Sequence, residues 1–196
     1  MKILAIMGSP RMGGNTDVLI DEALRRAAEE GASVDKLAVA ELDISPCLEK
    51  HYDEAFPDGL PAEGDDMRLV VEKIKTSDAV LTGSPVFFGS VTGQLKVLID
   101  RFQFAWLSRD ILKKDVFGKK RAGGFICVGA QDKEDFYFNS RQIVRHFYST
   151  LNIDPAEEAF FPGLEAKAAA LDNEAYMAKA GQIGRDLARM IKTGKG

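Results

Sequence analysis

The amino-terminal stretch of this chain places an apolar segment directly before a glycine-rich loop and a helical pattern. Residues 2–7 are predicted to form a buried strand, and the helical pattern begins near Thr16. The loop from 8 to 15 between them reads Gly-Ser-Pro-Arg-Met-Gly-Gly-Asn. Free backbone N–H groups and the positive end of a helix dipole meet at such a loop, and glycine lets the backbone approach a ligand closely. The sequence therefore predicts a phosphate-binding site.

This loop lacks the residues that define two common phosphate-binding motifs. A nucleoside triphosphate loop needs a lysine after its last glycine, but Gly13 is followed by Gly14 and Asn15. A dinucleotide fingerprint needs a second glycine where this loop has proline. The remaining donors, including the side chains of Ser9, Asn15 and Thr16, suit a terminal monophosphate that is held and not transferred. The alternative is a glycine-rich turn that only caps the helix.

The composition is that of a globular protein with no polyanionic partner. The 196 residues are 45% hydrophobic and 29% charged, which suits a single domain over residues 1–196. The net charge of −4 gives no indication of nucleic-acid binding. No apolar run reaches transmembrane length, and the amino terminus does not resemble a secretory leader. We therefore expect no membrane partner and a cytoplasmic location.

Strand patterns alternate with helical patterns along the chain. After the first strand, the predicted strands cover 33–39, 79–83, 122–128 and 156–161. The predicted helices cover 16–30, 66–75, 93–101, 140–151 and 173–191, while 42–66 is predicted as a long loop and about 103–120 as an insertion. Strands separated by helices predict an α/β three-layer sandwich, with a five-stranded parallel sheet covered on both faces.

A second loop with ligand-binding character follows the third predicted strand. In open parallel sheets ligands bind beyond the carboxyl ends of the strands, near the point where the strand order reverses. Phe87 and Phe88 offer aromatic surface to a flat heterocycle, and the backbone amides around Gly89 and Ser90 are expected to be free. The alternative is that both phenylalanines belong to the core. Because neighbouring residues of an extended segment face opposite sides, at least one is expected to be available to a ligand.

These two loops together resemble the NADPH-dependent FMN reductase family, which has a flavodoxin-like fold, and more narrowly its iron–sulfur flavoprotein-like branch. The resemblance extends from residue 1 to about 130 and is carried by residues 7–11, 14–16, 83–91, 94–96 and 98–101, with 45–47 matching the branch. It implies FMN as the cofactor and NADPH or NADH as the electron donor. It also implies a small electron acceptor such as a quinone or a flavin.

The resemblance further implies roles for individual residues. Those corresponding to the phosphate loop are Ser9, Arg11, Gly14, Asn15 and Thr16. Those corresponding to the segment along the isoalloxazine ring are Pro85, Val86, Phe87, Phe88, Gly89 and Ser90. Those corresponding to contacts with the pyrimidine end of the ring are Gly129, Ala130 and Gln131. No catalytic acid or base is implied, because hydride and electron chemistry belong to the flavin.

The chain departs from the branch at its cysteine cluster. The branch has three cysteines spaced C-x₂-C-x₂-C and a further one, whereas Lys50 and Asp53 follow Cys47 at those spacings. Cys127 is predicted to be a buried, inert thiol inside a strand. A four-iron cluster requires four thiolates, so we expect no iron–sulfur centre.

The sequence leaves open the roles of three further features. His51 and His146 lack a ligand or nucleophile partner and are expected to be solvated or helix-facing. The aromatic residues of 102–107 fit either an intramolecular cover or the interface of a homodimer or homotetramer. The basic residues of 113–121 fit either a solvated charge run or a contact with the 2′-phosphate of NADPH.

Three functions are consistent with these residues. The favoured one is an enzyme that passes electrons from a reduced nicotinamide through FMN to a small acceptor. The second is an electron carrier that docks to protein partners, against which the mild net charge of −4 counts. The third is a sensor of a phosphorylated ligand, without turnover.

Overall fold

All five strands lie in one parallel sheet in the computed structural model, which describes residues 1–48 and 64–194. The strands are β1 (Lys2–Met7), β2 (Ser33–Ala38), β3 (Ala79–Pro85), β4 (Arg121–Val128) and β5 (Ile153–Phe161). Their order is β2-β1-β3-β4-β5, and every neighbouring pair is parallel. The order reverses between β1 and β3, as in flavodoxin-like folds, which confirms the predicted fold class.

Helices cover both faces of the sheet. They are α1 (Asn15–Glu29), α2 (Met67–Thr76), α3 (Gly93–Asp100), α4 (Gln103–Trp106), α5 (Glu134–Thr150) and α6 (Glu174–Thr193). Successive β1 side chains alternate between faces, so Ile3 and Ala5 pack towards α1 and α6, while Leu4 and Ile6 pack towards α2, α3 and α5. Within the described residues, no helix is both long enough and apolar enough to cross a bilayer.

Helix α1 ends as its sequence predicts. Gly31 adopts a φ of +88°, in the left-handed region that favours glycine. The N–H groups of Gly31 and Ala32 donate to the carbonyls of Ala28 and Ala27 at 2.8 and 3.1 Å. This pair of bonds is a Schellman motif, which satisfies the last carbonyls of the helix and turns the chain into β2.

The predicted start of α5 was wrong by six residues. The helix begins at Glu134 and not at 140. Glu134 and Asp135 stabilise the first turn because their charges lie near the positive end of the helix dipole. Tyr137 then stacks on Phe160 of β5, with ring centroids 5.3 Å apart. This packing fixes a turn that has no helical periodicity in its sequence.

The predicted start of β5 was also late, because the strand begins at Ile153. Pro155 argues against a central strand, since proline cannot donate to a neighbouring strand. β5 lies at the edge of the sheet, where one side of the strand needs no partner. Its pairing with β4 shifts register between Gly123 and Gly124, which accommodates the proline.

The segment predicted as an insertion packs against the chain's own core. It consists of α4, a π-helical turn (Leu107–Ile111) and an irregular stretch leading to β4. Phe102, Phe104 and Phe117 are buried, and the Phe102 ring centroid lies 5.2 Å from that of Phe147 in α5. Trp106 remains 42% exposed. The structure thus shows the phenylalanines as an intramolecular cover of the sheet face.

Hydrogen bonds connect the two described ends of the loop predicted over 42–66. The Arg101 guanidinium, 5% exposed at the end of α3, donates to the Asp65 carboxylate and, at 3.0 Å, to the Ser45 carbonyl. Burial alone would raise the pKa of Asp65, but the hydrogen bond from Arg101 contributes to holding it below its ordinary value. The Asp66 N–H also donates to the Asp43 carbonyl at 2.9 Å. Residues 49–63 of this loop lie outside the described part of the chain.

Candidate functional site

A cavity of about 260 Å³ lies at the carboxyl ends of the strands, where the strand order reverses. It is bounded by the loops that follow β1 and β3, by the end of β4 and by the segment 164–167 after β5. The predicted site residues that line it are Ser9, Arg11, Gly14, Asn15, Thr16, Pro85, Val86, Phe87 and Ala130. The two loops singled out in the sequence therefore form one cavity.

A second cavity of about 310 Å³ adjoins the first. It shares Val86 and Ala130 with the first cavity, and Phe136 of α5 adds an aromatic wall. The remaining residues that line it are Phe88, Gly89, Gly129 and Gln131, all of them predicted. Ser90 lines neither cavity.

The first turn of α1 presents unsatisfied donors to the first cavity. Gly14 is the N-cap residue and supplies no side chain to cap the helix. Within the described residues, the backbone N–H groups of Asn15, Thr16 and Asp17 have no acceptor. Thr16 is only 2% exposed, and its hydroxyl makes no hydrogen bond to the described part of the chain. Such a set of donors fits an anion that accepts several hydrogen bonds, as a phosphate monoester does.

Close backbone packing and one threonine hold the two loops together. The Gly8 N–H donates to the Gly83 carbonyl at 2.8 Å, and a Cβ on Gly8 would lie 2.9 Å from the same oxygen. The buried Thr92 hydroxyl donates to the Gly8 carbonyl at 2.6 Å and accepts from the Leu95 N–H at 3.2 Å. Thr92 is thus both the N-cap of α3 and a link between the loops. Sequence reasoning missed it, although a threonine before a helical pattern is a typical cap.

Asp17 closes the phosphate loop from the helix side. One carboxylate oxygen accepts from the Gly13 N–H at 2.7 Å, and the other accepts from the Lys36 ammonium of β2 at 2.8 Å. The pairing with Lys36 offsets part of the carboxylate charge beside an anion site, since Lys36 also pairs with Asp21 at 2.5 Å. Sequence reasoning missed this residue as well. Its signal is an acidic side chain three residues after the N-cap, which typically bonds back to the loop.

Asn15 lies at the cavity, but its side chain faces the segment after β5. The amide group donates to the carbonyls of Leu164 and Ala166 at 3.3 and 2.8 Å. The amide oxygen accepts from the Ala170 N–H at 3.0 Å. The Asn15 side chain therefore fastens residues 164–170 over the cavity instead of supplying the free donor that the sequence predicted.

The loop after β3 contains a tight two-residue turn. Phe87 and Ser90 exchange both backbone hydrogen bonds, at 2.8 and 3.1 Å, so the prediction of a free Ser90 amide was wrong. Phe88 and Gly89 form the turn with φ of +51° and +73°. Phe88 is fully exposed and Phe87 is 39% exposed, so the alternative that both belong to the core was wrong as well. Each instead lines one of the two adjoining cavities.

The end of the basic run, residues 119–121, lies away from these cavities. Arg121 is buried at the amino-terminal end of β4, opposite the cavities, and donates to the carbonyls of Ile74 and Phe117 at 3.0 Å. Lys119 and Lys120 are paired with Asp78 and Asp154. These three basic residues therefore make structural contacts within the protein.

The remaining candidates divide between the described and the undescribed parts of the chain. His146 is exposed on α5, as expected of a solvated histidine. Cys127 is buried in β4 as predicted, and burial raises the pKa of its thiol to about 12. Lys50, His51 and Asp53 lie outside the described residues. The expectation that no iron–sulfur centre forms thus continues to rest on the sequence.

Comparisons with known proteins agree with this geometry. Residues 1–153 match the family described as NADPH-dependent FMN reductase. An iron–sulfur flavoprotein of Methanocaldococcus jannaschii is 35% identical over 130 residues, covering 66% of this chain and 63% of that protein. An NAD(P)H-dependent FAD/FMN reductase of Geobacillus thermodenitrificans is 32% identical over 126 residues, covering 63% of this chain and 60% of that protein.

These alignments span less than two thirds of the length of either relative. A solved structure described as a flavone reductase has a TM-score of 0.74 to this chain at 22% identity, covering 100% of this chain and 64% of that one. That likeness shows the fold and is consistent with the strand order described above.

Proposed function

The chain belongs to the NADPH-dependent FMN reductase family, and on that premise we propose that it is an FMN-dependent oxidoreductase. In this proposal it takes electrons from NADPH or NADH and passes them through FMN to a small acceptor such as a quinone or a free flavin. A relative described as an NAD(P)H-dependent FAD/FMN reductase supports the donor and the cofactor. The acceptor is inferred from the family and from the aromatic surface beside the expected position of the flavin ring.

The observation that carries the proposal is the adjacency of two different cavities. One is bounded by the uncapped first turn of α1 and by Thr16, whose hydroxyl has no partner among the described residues. The other is bounded by aromatic and small residues, among them Phe88 and Phe136. FMN joins a phosphate group to a flat aromatic ring system through a short chain, so its two ends match the two kinds of surface.

The residues of the site need only bind and orient the cofactor. The first-turn amides of α1 and the Thr16 hydroxyl would hold the phosphate. The backbone N–H groups of Gly89 and Ala130, which have no acceptor in the described part of the chain, would donate to ring heteroatoms. When bound, FMN supplies the hydride and electron chemistry. Accordingly, the site requires no side chain to act as a general acid or base.

The apolar surface around the second cavity favours a flat, weakly polar acceptor that stacks on the ring of bound FMN. Val86, Phe88 and Phe136 contribute apolar surface, and glycine and alanine leave room beside them. A small quinone or a flavin ring suits such a wall, because aromatic rings pack face to face or edge to face. A protein-docking carrier would instead benefit from a strong field of one sign, which a net charge of −4 does not provide.

Steady-state turnover tests this proposal. The protein loaded with FMN is mixed with NADPH or NADH and a small quinone, and the loss of nicotinamide absorbance is followed. We expect oxidation that depends on the protein, on FMN and on the quinone together; the protein without FMN is the control. Nicotinamide oxidation that is no faster with the quinone than without it would count against a small-molecule acceptor.

A further inference from the structure

A lysine from the carboxyl-terminal part of the chain lies over the phosphate loop. Lys167 belongs to the segment after β5, which lines the first cavity together with the loop. A Cβ on Gly13 would lie 3.7 Å from Lys167 Cε and 3.9 Å from its Nζ. Within residues 1–48 and 64–194, the ammonium group of Lys167 makes no hydrogen bond or ion pair. The cation is therefore uncommitted beside the place where the phosphate is expected.

We propose that Lys167 binds the phosphate of FMN and makes the site selective for FMN over riboflavin. This inference rests on the proposed function, because it takes the bound ligand to be a flavin. It also goes beyond the family resemblance, since Lys167 lies outside residues 1–153 that match the family. The phosphate loop contains no lysine of its own, and the fold supplies one from a distant segment.

The segment that carries Lys167 is fixed on both sides of the lysine. The Asn15 side chain bonds the backbone of Leu164 and Ala166 before it and of Ala170 after it, at 2.8 to 3.3 Å. The Leu164 N–H donates to the Gly129 carbonyl at 3.2 Å, which ties the segment to the end of β4. These bonds position the backbone of Lys167 although its side chain is exposed.

The backbone conformation of the residue after Lys167 indicates that neighbouring contacts fix the backbone at this point. Ala168 adopts a φ of +61°, in the left-handed region that residues other than glycine rarely occupy. Such strain persists only where neighbouring contacts determine the backbone, and it is common at ligand sites. The contacts in this case are those made by Asn15 around the lysine.

The charges at the first cavity favour a dianion. Arg11 lines it as a second cation, and its side chain makes no ion pair within the described residues. Glu165 lines the same cavity and offsets part of this charge. The Asp17 carboxylate is paired with Lys36 at 2.8 Å, and Lys36 is shared with Asp21. A phosphate would meet the uncapped helix and two cations, whereas riboflavin has no charge to benefit from them.

The test is equilibrium binding of FMN and of riboflavin to Lys167→Met, followed by the quenching of flavin fluorescence at low and high salt. We expect the Kd for FMN to rise about fivefold at low salt, since an exposed cation is partly screened, and to depend less steeply on salt. The Kd for riboflavin should not change. Lys120→Met is the matched control, because Lys120 lies at the amino-terminal end of β4 beside Asp154 and should leave both affinities unchanged.

The outcomes separate this inference from the proposed function. An FMN affinity that Lys167→Met leaves unchanged would overturn the inference while the proposed function stands. An equal loss of affinity for FMN and riboflavin would also overturn it, because the lysine would then act only on the shape of the segment. Wild-type protein that binds neither flavin would overturn the proposed function, and the inference with it. Retention of FMN affinity by Lys167→Arg, alongside its loss in Lys167→Met, would support the role of the charge.

Discussion

Thr16 shows most clearly how one residue marks the site. It is almost completely buried, yet its hydroxyl has no partner among the described residues. Thr16 lines the first cavity, so a ligand bound there can supply the hydrogen bond that its hydroxyl lacks. The methyl group of Thr16 has a separate, packing role. It lies against Gly83 of β3, 3.1 Å from where a Cβ on that glycine would be.

Thr16→Val separates these two roles. The variant keeps the methyl contact and loses the hydroxyl, so the fold should be retained while FMN binds about tenfold more weakly. This magnitude follows from the roughly 1.5–3 kcal/mol that a hydrogen bond to a charged group contributes. Thr16→Ser keeps the hydroxyl and should bind FMN nearly as well as the wild type, measured by the same fluorescence titration. Equal FMN affinity in the valine variant and the wild type would contradict the assignment of the phosphate position.

Single residues also show what the sequence predicts about the site and what it does not. The residue types of the phosphate loop indicated which donors are present, and the structure places all of the predicted ones at the cavity. The type of a residue does not show its direction, so Asn15 was expected to face a ligand and instead holds residues 164–170. Lys167 has no local pattern that would identify it, because only the fold brings it to Gly13.

At the scale of elements, the contact between α1 and α6 depends on one glycine. A Cβ on Gly184 would lie only 1.8 Å from the Ala23 carbonyl oxygen of α1. Since the Cβ would be bonded directly to the backbone of α6 and the oxygen belongs to the backbone of α1, neither can move without shifting a helix. The close approach of α6 therefore also fixes α1, whose first turn bounds the first cavity.

Gly184→Ala should lower the free energy of unfolding by about 3 kcal/mol, because the added methyl forces the two helices apart. Urea denaturation at 25 °C measures this loss. Gly93→Ala is the control: a Cβ there meets no atom within 4 Å, and alanine is the better helix former, so no loss is expected. A Gly184→Ala protein as stable as the wild type would show that α1 and α6 do not pack this closely.

The elements that were predicted accurately are those whose periodicity reflects burial. β1, β3 and β4 are buried on both faces, and their nearly continuous apolar runs indicated strands at the correct positions. The start of β5 was predicted three residues late because β5 is a half-exposed edge strand containing Pro155. The start of α5 was missed because contact with β5, rather than helical periodicity, holds its first turn.

At the scale of the whole molecule, the strand order creates the site. Placing β3 next to β1 brings together two loops that are 75 residues apart in sequence, 8–15 and 83–91. The alternation of strands and helices predicts a parallel sheet but not the order of its strands. The family resemblance implied a flavodoxin-like fold, and the structure shows the order β2-β1-β3-β4-β5. The contribution of 164–167 lay beyond the resemblance and required the folded chain to be seen.

The central claim is that this molecule holds FMN at the carboxyl ends of its strands and reduces it with a nicotinamide. An anaerobic titration of the FMN-loaded protein with NADPH, followed by visible absorbance, tests that claim most directly. We predict that the bands of oxidised flavin bleach in proportion to the NADPH added, while free FMN at the same concentration bleaches far more slowly. A protein that retains FMN and is bleached by neither NADPH nor NADH would contradict the claim and point to a carrier that receives electrons from another protein.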